Sequence, residues 1–168
     1  MFKNFQPTWH AHAIYDLTPS ILRKNGIKAI LTDLDNTLIA WNNPHGTEQL
    51  RKWLRQMQNA NIPVMVVSNN SYKRVGIALA DFTLPYVAYS VKPLPFGIKK
   101  ALRQLHVSAD EAVLVGDQLL TDIRAGHASG IRTILVDPIV SSDAFFTKFN
   151  RMVEKVILRH LHSIGEIN

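Results

Sequence analysis

The sequence predicts a three-layer α/β domain built around a mainly parallel sheet. Short apolar runs alternate along the chain with segments of helical character, which is the order typical of successive β-α-β units. No internal repeat, low-complexity stretch or break in composition divides the 168 residues. Since this length suits one domain with a sizeable core, we expect a single domain over residues 1–168.

Five apolar runs rich in β-branched residues predict the strands of this sheet. They are Ile27–Thr32, Ile62–Val67, Tyr86–Tyr89, Ala112–Val115 and Ile131–Val136. The intervening segments predict four helices, at Thr47–Ala60, Ser71–Ala80, Pro95–His106 and Gln118–Ser129. Thr47 is a typical N-cap residue, Pro95 suits a first helical turn, and Gly130 suits a C-cap. Together these elements predict a Rossmann-like order in which helices connect parallel strands.

The composition excludes several classes of protein. With 46% hydrophobic and 19% charged residues, the chain is too apolar to be disordered. The absence of cysteine excludes a disulfide framework, a thiolate metal site and a cysteine nucleophile. No apolar run approaches the roughly 18 residues of a membrane span, and the N-terminus lacks the apolar core of a secretory signal. We therefore expect a soluble, cytoplasmic protein.

Polar side chains directly follow four of the predicted strands. Asp33 and Asp35 come after the first, Ser68 after the second, Lys92 after the third and Asp117 after the fourth. Each has an innocent alternative: Ser68 could begin a turn, Lys92 could be a solvated cation, and Asp117 could favour a helix N-terminus. Because open parallel sheets bind ligands beyond the carboxyl ends of their strands, we expect these side chains to form one site.

The spacing of Asp33, Asp35 and Thr37 indicates the chemistry of that site. Residues two apart in an extended chain point to the same side, and neighbouring carboxylates raise each other's pKa unless a cation lies between them. Carboxylate oxygens suit Mg²⁺. An aspartate can form an aspartyl-phosphate, and a second carboxyl group can protonate the leaving oxygen and then activate water. Glycine-rich nucleotide-binding motifs are absent, so nucleotide-driven chemistry has no support. The paired carboxylates therefore predict a Mg²⁺-dependent phosphatase.

Four motifs, in this order, resemble those of the haloacid dehalogenase (HAD) superfamily of phosphatases. They are "DLDNT", "VVSNN", "KP" and "GDQLLTD", and the similarity covers residues 27 to about 138. "SNN", "VKPLPFGIKKAL", "VGDQLLTDIRAG" and the C-terminal "TKFNRMVEKVILRHL" further resemble the YqeG-type branch, subclass IIIA. The resemblance implies a Rossmann-like HAD domain, and it extends over nearly the whole chain.

The resemblance also implies the reacting residues. Asp33 would be the nucleophile, and Asp35 would be the acid/base, with its backbone carbonyl on Mg²⁺. Ser68 and Lys92 would hold the phosphoryl group that is transferred.

The remaining matched residues would bind metal or support the site. Asp117 would complete the metal site, so that Asp33, Asp35, Asp117 and Asp122 surround the ion. Asp122 would bind the metal through water or orient Lys92. Thr37 and Asn69 would be supporting residues beside the phosphate.

The spacing of the motifs leaves no room for a large cap domain over the site. Only twenty-three residues lie between Ser68 and Lys92, and about thirty lie between Leu38 and Ser68. An open site suits a large substrate, or a partner that closes the pocket. The short flap at residues 39–46 could touch the leaving group through Trp41 and His45, although Trp41 could equally pack the flap and His45 could be a solvated turn residue.

The substrate is implied by the branch alone. Similar eukaryotic and photosynthetic proteins remove the phosphate from phosphatidylglycerophosphate, which would place this chain in phospholipid biosynthesis. One alternative is a phosphatase of a soluble phosphorylated sugar, nucleotide or protein. Another is a non-catalytic basic binding module, for example on RNA. Because an aromatic and basic RNA-recognition motif is absent, we expect no nucleic acid partner.

Charge and the C-terminal stretch suggest contact with an anionic membrane. The net charge is +6, and nine acids face nineteen Lys and Arg once the four site aspartates are set aside. The amphipathic pattern predicts a helix at about residues 144–162. Its apolar stripe comprises Phe145, Phe149, Met152, Val153, Val156, Ile157 and Leu161, and its cations are Lys148, Arg151, Lys155 and Arg159. The stripe could instead close the core or a dimer interface, while Phe2, Phe5 and Trp9 could add interfacial anchors.

Overall fold

The computed structural model describes residues 3–41, 43 and 45–140. Its six strands are β1 (Trp9–Ala11), β2 (Ala29–Thr32), β3 (Val64–Val67), β4 (Tyr86–Val87), β5 (Ala112–Gly116) and β6 (Arg132–Val136). They form one sheet in the order β1-β6-β5-β2-β3-β4, and every neighbouring pair is parallel. The predicted α/β class and parallel sheet are confirmed. The predicted C-terminal helix at about residues 144–162 lies outside the described residues.

Helices connect the strands and begin largely where the sequence predicts. They are α1 (Pro19–Lys24), α2 (Glu48–Asn59), α3 (Tyr72–Ala78), α4 (Phe96–Leu105) and α5 (Arg124–Ser129). Thr47 caps α2 by accepting a hydrogen bond from the Leu50 backbone amide, and Gly130 ends α5 with a φ of 70°. The helix predicted over Gln118–Ser129 is in fact a π-helical turn at Leu119–Ile123 that continues into α5.

Hydrophobic side chains cover both faces of the sheet, which gives the domain its three layers. Alternate residues of each strand point to opposite faces, so Ile30 and Val66 pack with α2 while Leu31 and Val67 pack with α4. The Trp53 side chain of α2 is buried, and its indole nitrogen donates to the Leu17 carbonyl oxygen at 2.9 Å. Among the described residues, no helix is long and apolar enough to cross a membrane.

The strand β1 and the helix α1, which precede β2, were not predicted. The edge strand β1 has only three residues and depends on β6, with Trp9 opposite Ile134. The Thr8 amide extends the pairing by donating to the Thr133 carbonyl oxygen at 2.9 Å. Trp9 is half-buried against the core, and the Arg132 guanidinium lies 5.6 Å from its ring centroid. The structure therefore places Trp9 in the sheet.

The core should tolerate truncation poorly. Leu114 on β5 is fully buried, so Leu114→Ala should lower the free energy of unfolding by about 2–5 kcal/mol through lost burial and a residual cavity. Ile21 on α1 is 49% exposed, and Ile21→Ala should change it by about 0.5 kcal/mol or less. Urea titration followed by circular dichroism measures both. Equal losses would contradict the described packing of Leu114.

Candidate active site

Three adjacent strands deliver the polar side chains predicted for the site. Asp33 follows β2, Ser68 follows β3 and Asp117 follows β5, and β2 lies between the other two strands. The Asp33 amide continues the β2–β5 pairing by donating to the Val115 carbonyl oxygen at 2.9 Å, and the Ser68 amide donates to the Val87 carbonyl oxygen at 2.9 Å. The backbone therefore holds the start of each site loop in the sheet.

These loops surround a cavity of about 370 Å³. Its lining residues are Asp33, Asp35, Asn36, Trp41, Ser68, Asn69, Asn70, Arg74, Lys92, Gln118 and Thr121. A larger groove of about 750 Å³ lies near the amino ends of β3 and β4. This groove therefore lies at the amino-terminal ends of the strands, on the side of the sheet opposite to their carboxyl ends. The smaller cavity is the candidate site because it alone of these two contains the predicted residues.

Lys92 is the buried cation of the cavity. Its Nζ lies 2.6 Å from Asp33 Oδ1 and 2.7 Å from Asp122 Oδ1. Burial by itself would lower the pKa of Lys92, but the charges of Asp122 and Asp33 outweigh it and raise this pKa above its usual range. Lys92 is therefore an ammonium ion that links the first and last motifs of the sequence.

Asn69 fixes the loop that carries Lys92. Its side-chain nitrogen donates to the Lys92 carbonyl oxygen at 2.9 Å, and its side-chain oxygen accepts from the Lys92 amide at 2.7 Å. The same oxygen accepts from the Ser90 hydroxyl at 2.7 Å. Ser68, which precedes Asn69, is buried at the cavity, and its hydroxyl oxygen accepts from the Asn70 amide at 3.1 Å.

Three carboxylates form the group that could hold a metal ion. One oxygen each from Asp33, Asp117 and Asp122 lies within 4.8 Å of the others. Thr37 donates from its hydroxyl to Asp117 Oδ1 at 3.2 Å. Asp122 uses Oδ1 for Lys92, and its Oδ2 accepts from the Gln118 amide at 3.2 Å. Burial raises the pKa of Asp122, and the nearby charge of Asp33 adds to this.

The carboxylate of Asp35 lies outside this three-carboxylate group. Its Oδ1 is 2.6 Å from Arg74 Nη2, and its Oδ2 accepts from the Asn70 side chain at 2.7 Å. Burial raises the pKa of Asp35 although Arg74 opposes the shift, and Asp33 contributes in the same direction as burial. The metal role predicted for Asp35 uses its backbone carbonyl, so these side-chain contacts are compatible with it.

Arg74 was missed by sequence reasoning. It lies in the first turn of α3, where the Ser71 hydroxyl oxygen accepts from the Arg74 amide, and its guanidinium also reaches the Trp41 carbonyl oxygen at 3.5 Å. An arginine on a helix is usually a solvated surface residue, so the sequence carries no local signal for this contact. Only the packing of α3 against the loop after β2 reveals it.

The two flap residues, Trp41 and His45, lie in different places relative to the cavity. Trp41 lines the cavity and is 43% exposed. His45 does not line it, and its Nδ1 lies 3.4 Å from Asp81 Oδ2 on the surface. Trp41 is therefore the flap residue that can meet a bound leaving group.

Gly116 allows Asp122 to approach the end of β5. A Cβ atom at position 116 would overlap the Asp122 carboxyl group. Gly116→Ala should therefore displace Asp122 from Lys92 and lower any activity that needs this pair, by about tenfold or more. The matched control is Gly76→Ala on α3, where an added Cβ meets only the Tyr86 hydroxyl at 3.6 Å. Steady-state kinetics with thermal unfolding of both variants tests this, and unchanged activity in Gly116→Ala would contradict it.

Comparison with known proteins agrees with the sequence motifs. A family model described as HAD-hydrolase-like matches residues 90–149. "Probable phosphatase YqeG" of Bacillus subtilis is 39% identical over 165 residues, covering 98% of this chain and 96% of that protein. "Ribonucleotide monophosphatase NagD" of Escherichia coli is 48% identical over 54 residues, which is 32% of this chain and 22% of that protein.

A solved structure supports the fold. CbbY from Rhodobacter sphaeroides, determined in complex with phosphate, superposes with a TM-score of 0.52 at 17% identity. The match covers 71% of this chain and 90% of that chain. At this identity the likeness concerns the arrangement of strands and helices.

Proposed function

The chain belongs to the haloacid dehalogenase superfamily of phosphatases, and we propose that it hydrolyses a phosphomonoester through an aspartyl-phosphate on Asp33, with Mg²⁺ as cofactor. The observation that carries this proposal is the buried Lys92 ammonium, held between Asp33 and Asp122 beside Asp117. Such a cluster supplies a carboxylate nucleophile and positive charge for the phosphoryl oxygens in one place.

In the first step, a carboxylate oxygen of Asp33 attacks phosphorus. The bond from phosphorus to the leaving oxygen breaks as the bond to Asp33 forms. Lys92 and the Ser68 hydroxyl hold the phosphoryl oxygens and stabilise their charge. Asn69 keeps Lys92 in position through its two hydrogen bonds to the Lys92 backbone.

Asp35 carries the proton in both steps. Burial raises the pKa of its carboxyl group, which suits a group that gives a proton to the leaving oxygen. The resulting carboxylate then takes a proton from water as the water oxygen attacks phosphorus, which releases phosphate and restores Asp33. Arg74 and Asn70 contact both oxygens of Asp35 and orient this group.

The residues present fit a divalent cation. Carboxylate oxygens from Asp33, Asp117 and Asp122 converge, and hard oxygen donors are those that Mg²⁺ prefers. Asp33 and Asp117 would hold the ion with the Asp35 backbone carbonyl, while Asp122, already bonded to Lys92 and Gln118, would act through water. When bound, Mg²⁺ supplies positive charge that neutralises the carboxylates and the phosphate.

For the substrate, we propose phosphatidylglycerophosphate, which the enzyme would convert to phosphatidylglycerol. Support comes from the likeness to the YqeG-type branch, subclass IIIA, and from the basic excess, which favours an anionic partner. In this proposal the protein is cytoplasmic and meets its lipid at the membrane surface. The C-terminal cations Lys148, Arg151, Lys155 and Arg159 would add attraction to anionic lipid.

A soluble phosphomonoester is the second candidate. The observation that favours it is the local 48% identity to a ribonucleotide monophosphatase. A substrate panel separates the two: purified protein with Mg²⁺ is given p-nitrophenyl phosphate, phosphatidylglycerophosphate in mixed micelles, ribonucleoside monophosphates and sugar phosphates, and released phosphate is measured. The highest kcat/KM should be for the lipid. A preference for a soluble compound would replace the lipid assignment, and no hydrolysis of any member would contradict the phosphatase proposal.

A further inference from the structure

Five large apolar side chains are exposed together beside the candidate active site. They lie at the start of α3, in the segment between β4 and α4, and at the first residue of α4, and each is between 48% and 66% exposed. We call this set the apolar collar: Tyr72, Tyr89, Val91, Leu94 and Phe96. Single exposed hydrophobic residues are common, but a contiguous exposed group marks an interaction surface.

Four collar residues are close in sequence, and the fifth, Tyr72, contacts one of them. The Tyr72 and Tyr89 ring centroids are 5.7 Å apart. Val91 and Leu94 belong to one turn, in which the Leu94 amide donates to the Val91 carbonyl oxygen, and Phe96 begins α4. The collar therefore spans the two loops that also deliver site residues.

The backbone of the collar is held in an unfavourable conformation. Tyr89 and Val91 have φ values of 48° and 58°, in the left-handed region that bulky and β-branched residues rarely adopt. Neighbouring bonds hold this conformation, because the Tyr89 amide donates to the Asn70 carbonyl oxygen and the Ser90 amide to that of Ser68. Between the two exposed side chains of Val91 and Leu94, Lys92 is turned into the cavity.

The exposed charges on α4 and at the start of α3 are positive, whereas the nearby carboxylates of Asp33 and Asp35 lie in the cavity. Phe96, Lys99, Lys100 and Arg103 follow the i, i+3, i+4, i+7 spacing of one helix face, and the three cations are exposed. Lys73 is exposed next to Tyr72. Residues 71–107 contain one acidic residue, Asp81. Asp81 lies near His45, in the groove at the amino-terminal ends of β3 and β4. The collar is therefore an apolar surface bordered by cations.

We infer that the apolar collar is a docking surface for an anionic lipid bilayer. Apolar and aromatic side chains enter the interfacial layer of a membrane, and Lys or Arg beside them interact with anionic headgroups. A second copy of this chain fits less well, because a two-fold contact through the collar would bring Lys99 and Lys100 towards their counterparts. The exposed cations favour a negatively charged occupant.

This surface would present the active site to the membrane. The cavity shares the loop of Lys92 and the first turn of α3 with the collar. A phosphomonoester headgroup in the plane of the bilayer would thus meet the cavity mouth without leaving the membrane. This last step rests on the proposed phosphatase function, whereas binding of the collar to lipid does not.

The test is co-sedimentation of the full-length protein with vesicles. Phosphatidylcholine vesicles are compared with vesicles that also contain phosphatidylglycerol, at low and high salt. Leu94→Gln/Phe96→Gln should weaken binding to the anionic vesicles by about tenfold or more. Lys99→Glu/Lys100→Glu should weaken it by about tenfold or more as well. Ile21→Gln, which removes a comparably exposed side chain from α1, and Lys24→Glu/Lys52→Glu are the matched controls.

The controls should bind as the unmodified protein does, and high salt should reduce binding because exposed charges are screened. Collar variants that bind like the unmodified protein would overturn the inference. It would also be overturned if binding were lost only by charge reversal of Lys148, Arg151, Lys155 and Arg159. Sedimentation velocity gives a third contradiction: a dimer that dissociates in Leu94→Gln/Phe96→Gln would make the collar a self-interface.

Hydrolysis of p-nitrophenyl phosphate by the same samples separates this inference from the proposed function. If the collar variants hydrolyse it normally and lose vesicle binding, both the inference and the phosphatase proposal are supported. If the unmodified protein binds vesicles through the collar but hydrolyses no phosphomonoester, the docking surface is supported and the phosphatase proposal fails.

Discussion

Asp33→Asn is expected to reduce phosphatase activity by at least about 10³-fold. A neutral amide oxygen does not attack phosphorus as a carboxylate does, so the covalent step is lost. The fold should survive, because Lys92 keeps Asp122 as a charged partner 2.7 Å away. Release of phosphate from p-nitrophenyl phosphate with Mg²⁺ measures the activity, and thermal unfolding checks the fold.

Two further variants serve as a control and as a test of the second chemical step. Asp110→Asn changes an exposed aspartate that is not part of the cavity lining, and it should keep normal activity. Asp35→Asn should slow the attack of water on the intermediate, so the phosphorylated enzyme should accumulate and appear in mass spectra after an acid quench. Substantial activity in Asp33→Asn with Mg²⁺ would contradict covalent catalysis by Asp33.

The sequence predicts the sheet and the position of the site because both depend on strong local signals. Buried parallel strands are continuous apolar runs, and the residues directly after them meet at one edge of the sheet. Asp33, Ser68 and Asp117 are therefore correctly placed beside one another by strand assignment alone.

The elements that were missed depend on distant partners. The strand of Trp9–Ala11 has no apolar run of its own, and its pairing with Ile134–Val136 joins residues about 125 positions apart. The boundary after β4 was also placed too late, since Tyr89 adopts a positive φ and leaves the strand. Neither feature has a signature within a window of a few residues.

Side-chain partnerships within the site were predicted only in part. The pairing of Lys92 with Asp122 is one of two roles that the resemblance implied for Asp122, and the structure shows the contact. The pairing of Arg74 with Asp35 was not predicted, because thirty-nine positions separate the two residues and no motif connects them. The exposed collar was likewise hidden, since Val91, Leu94 and Phe96 resemble core residues in a sequence.

Removal of the metal is the second change for which we expect a large effect. Chelation should abolish hydrolysis, and added Mg²⁺ should restore it, because the carboxylates of the site would otherwise repel an anionic phosphate. Measuring activity as a function of Mg²⁺ concentration shows which carboxylates hold the ion. Asp117 and Asp122 are the informative pair, since both contribute an oxygen to the three-carboxylate group yet have different partners.

Asp117→Ala should raise the Mg²⁺ concentration for half-maximal activity by about 100-fold or more, whereas Asp122→Ala should raise it by about tenfold. Asp122 has both carboxylate oxygens bonded to Lys92 and Gln118, so its removal disturbs the ion through the orientation of Lys92. The shift in unfolding temperature on adding Mg²⁺ gives a readout that is independent of turnover. It should disappear in Asp117→Ala and persist, reduced, in Asp122→Ala. Equal effects of the two substitutions would mean that Asp122 binds the ion as directly as Asp117 does.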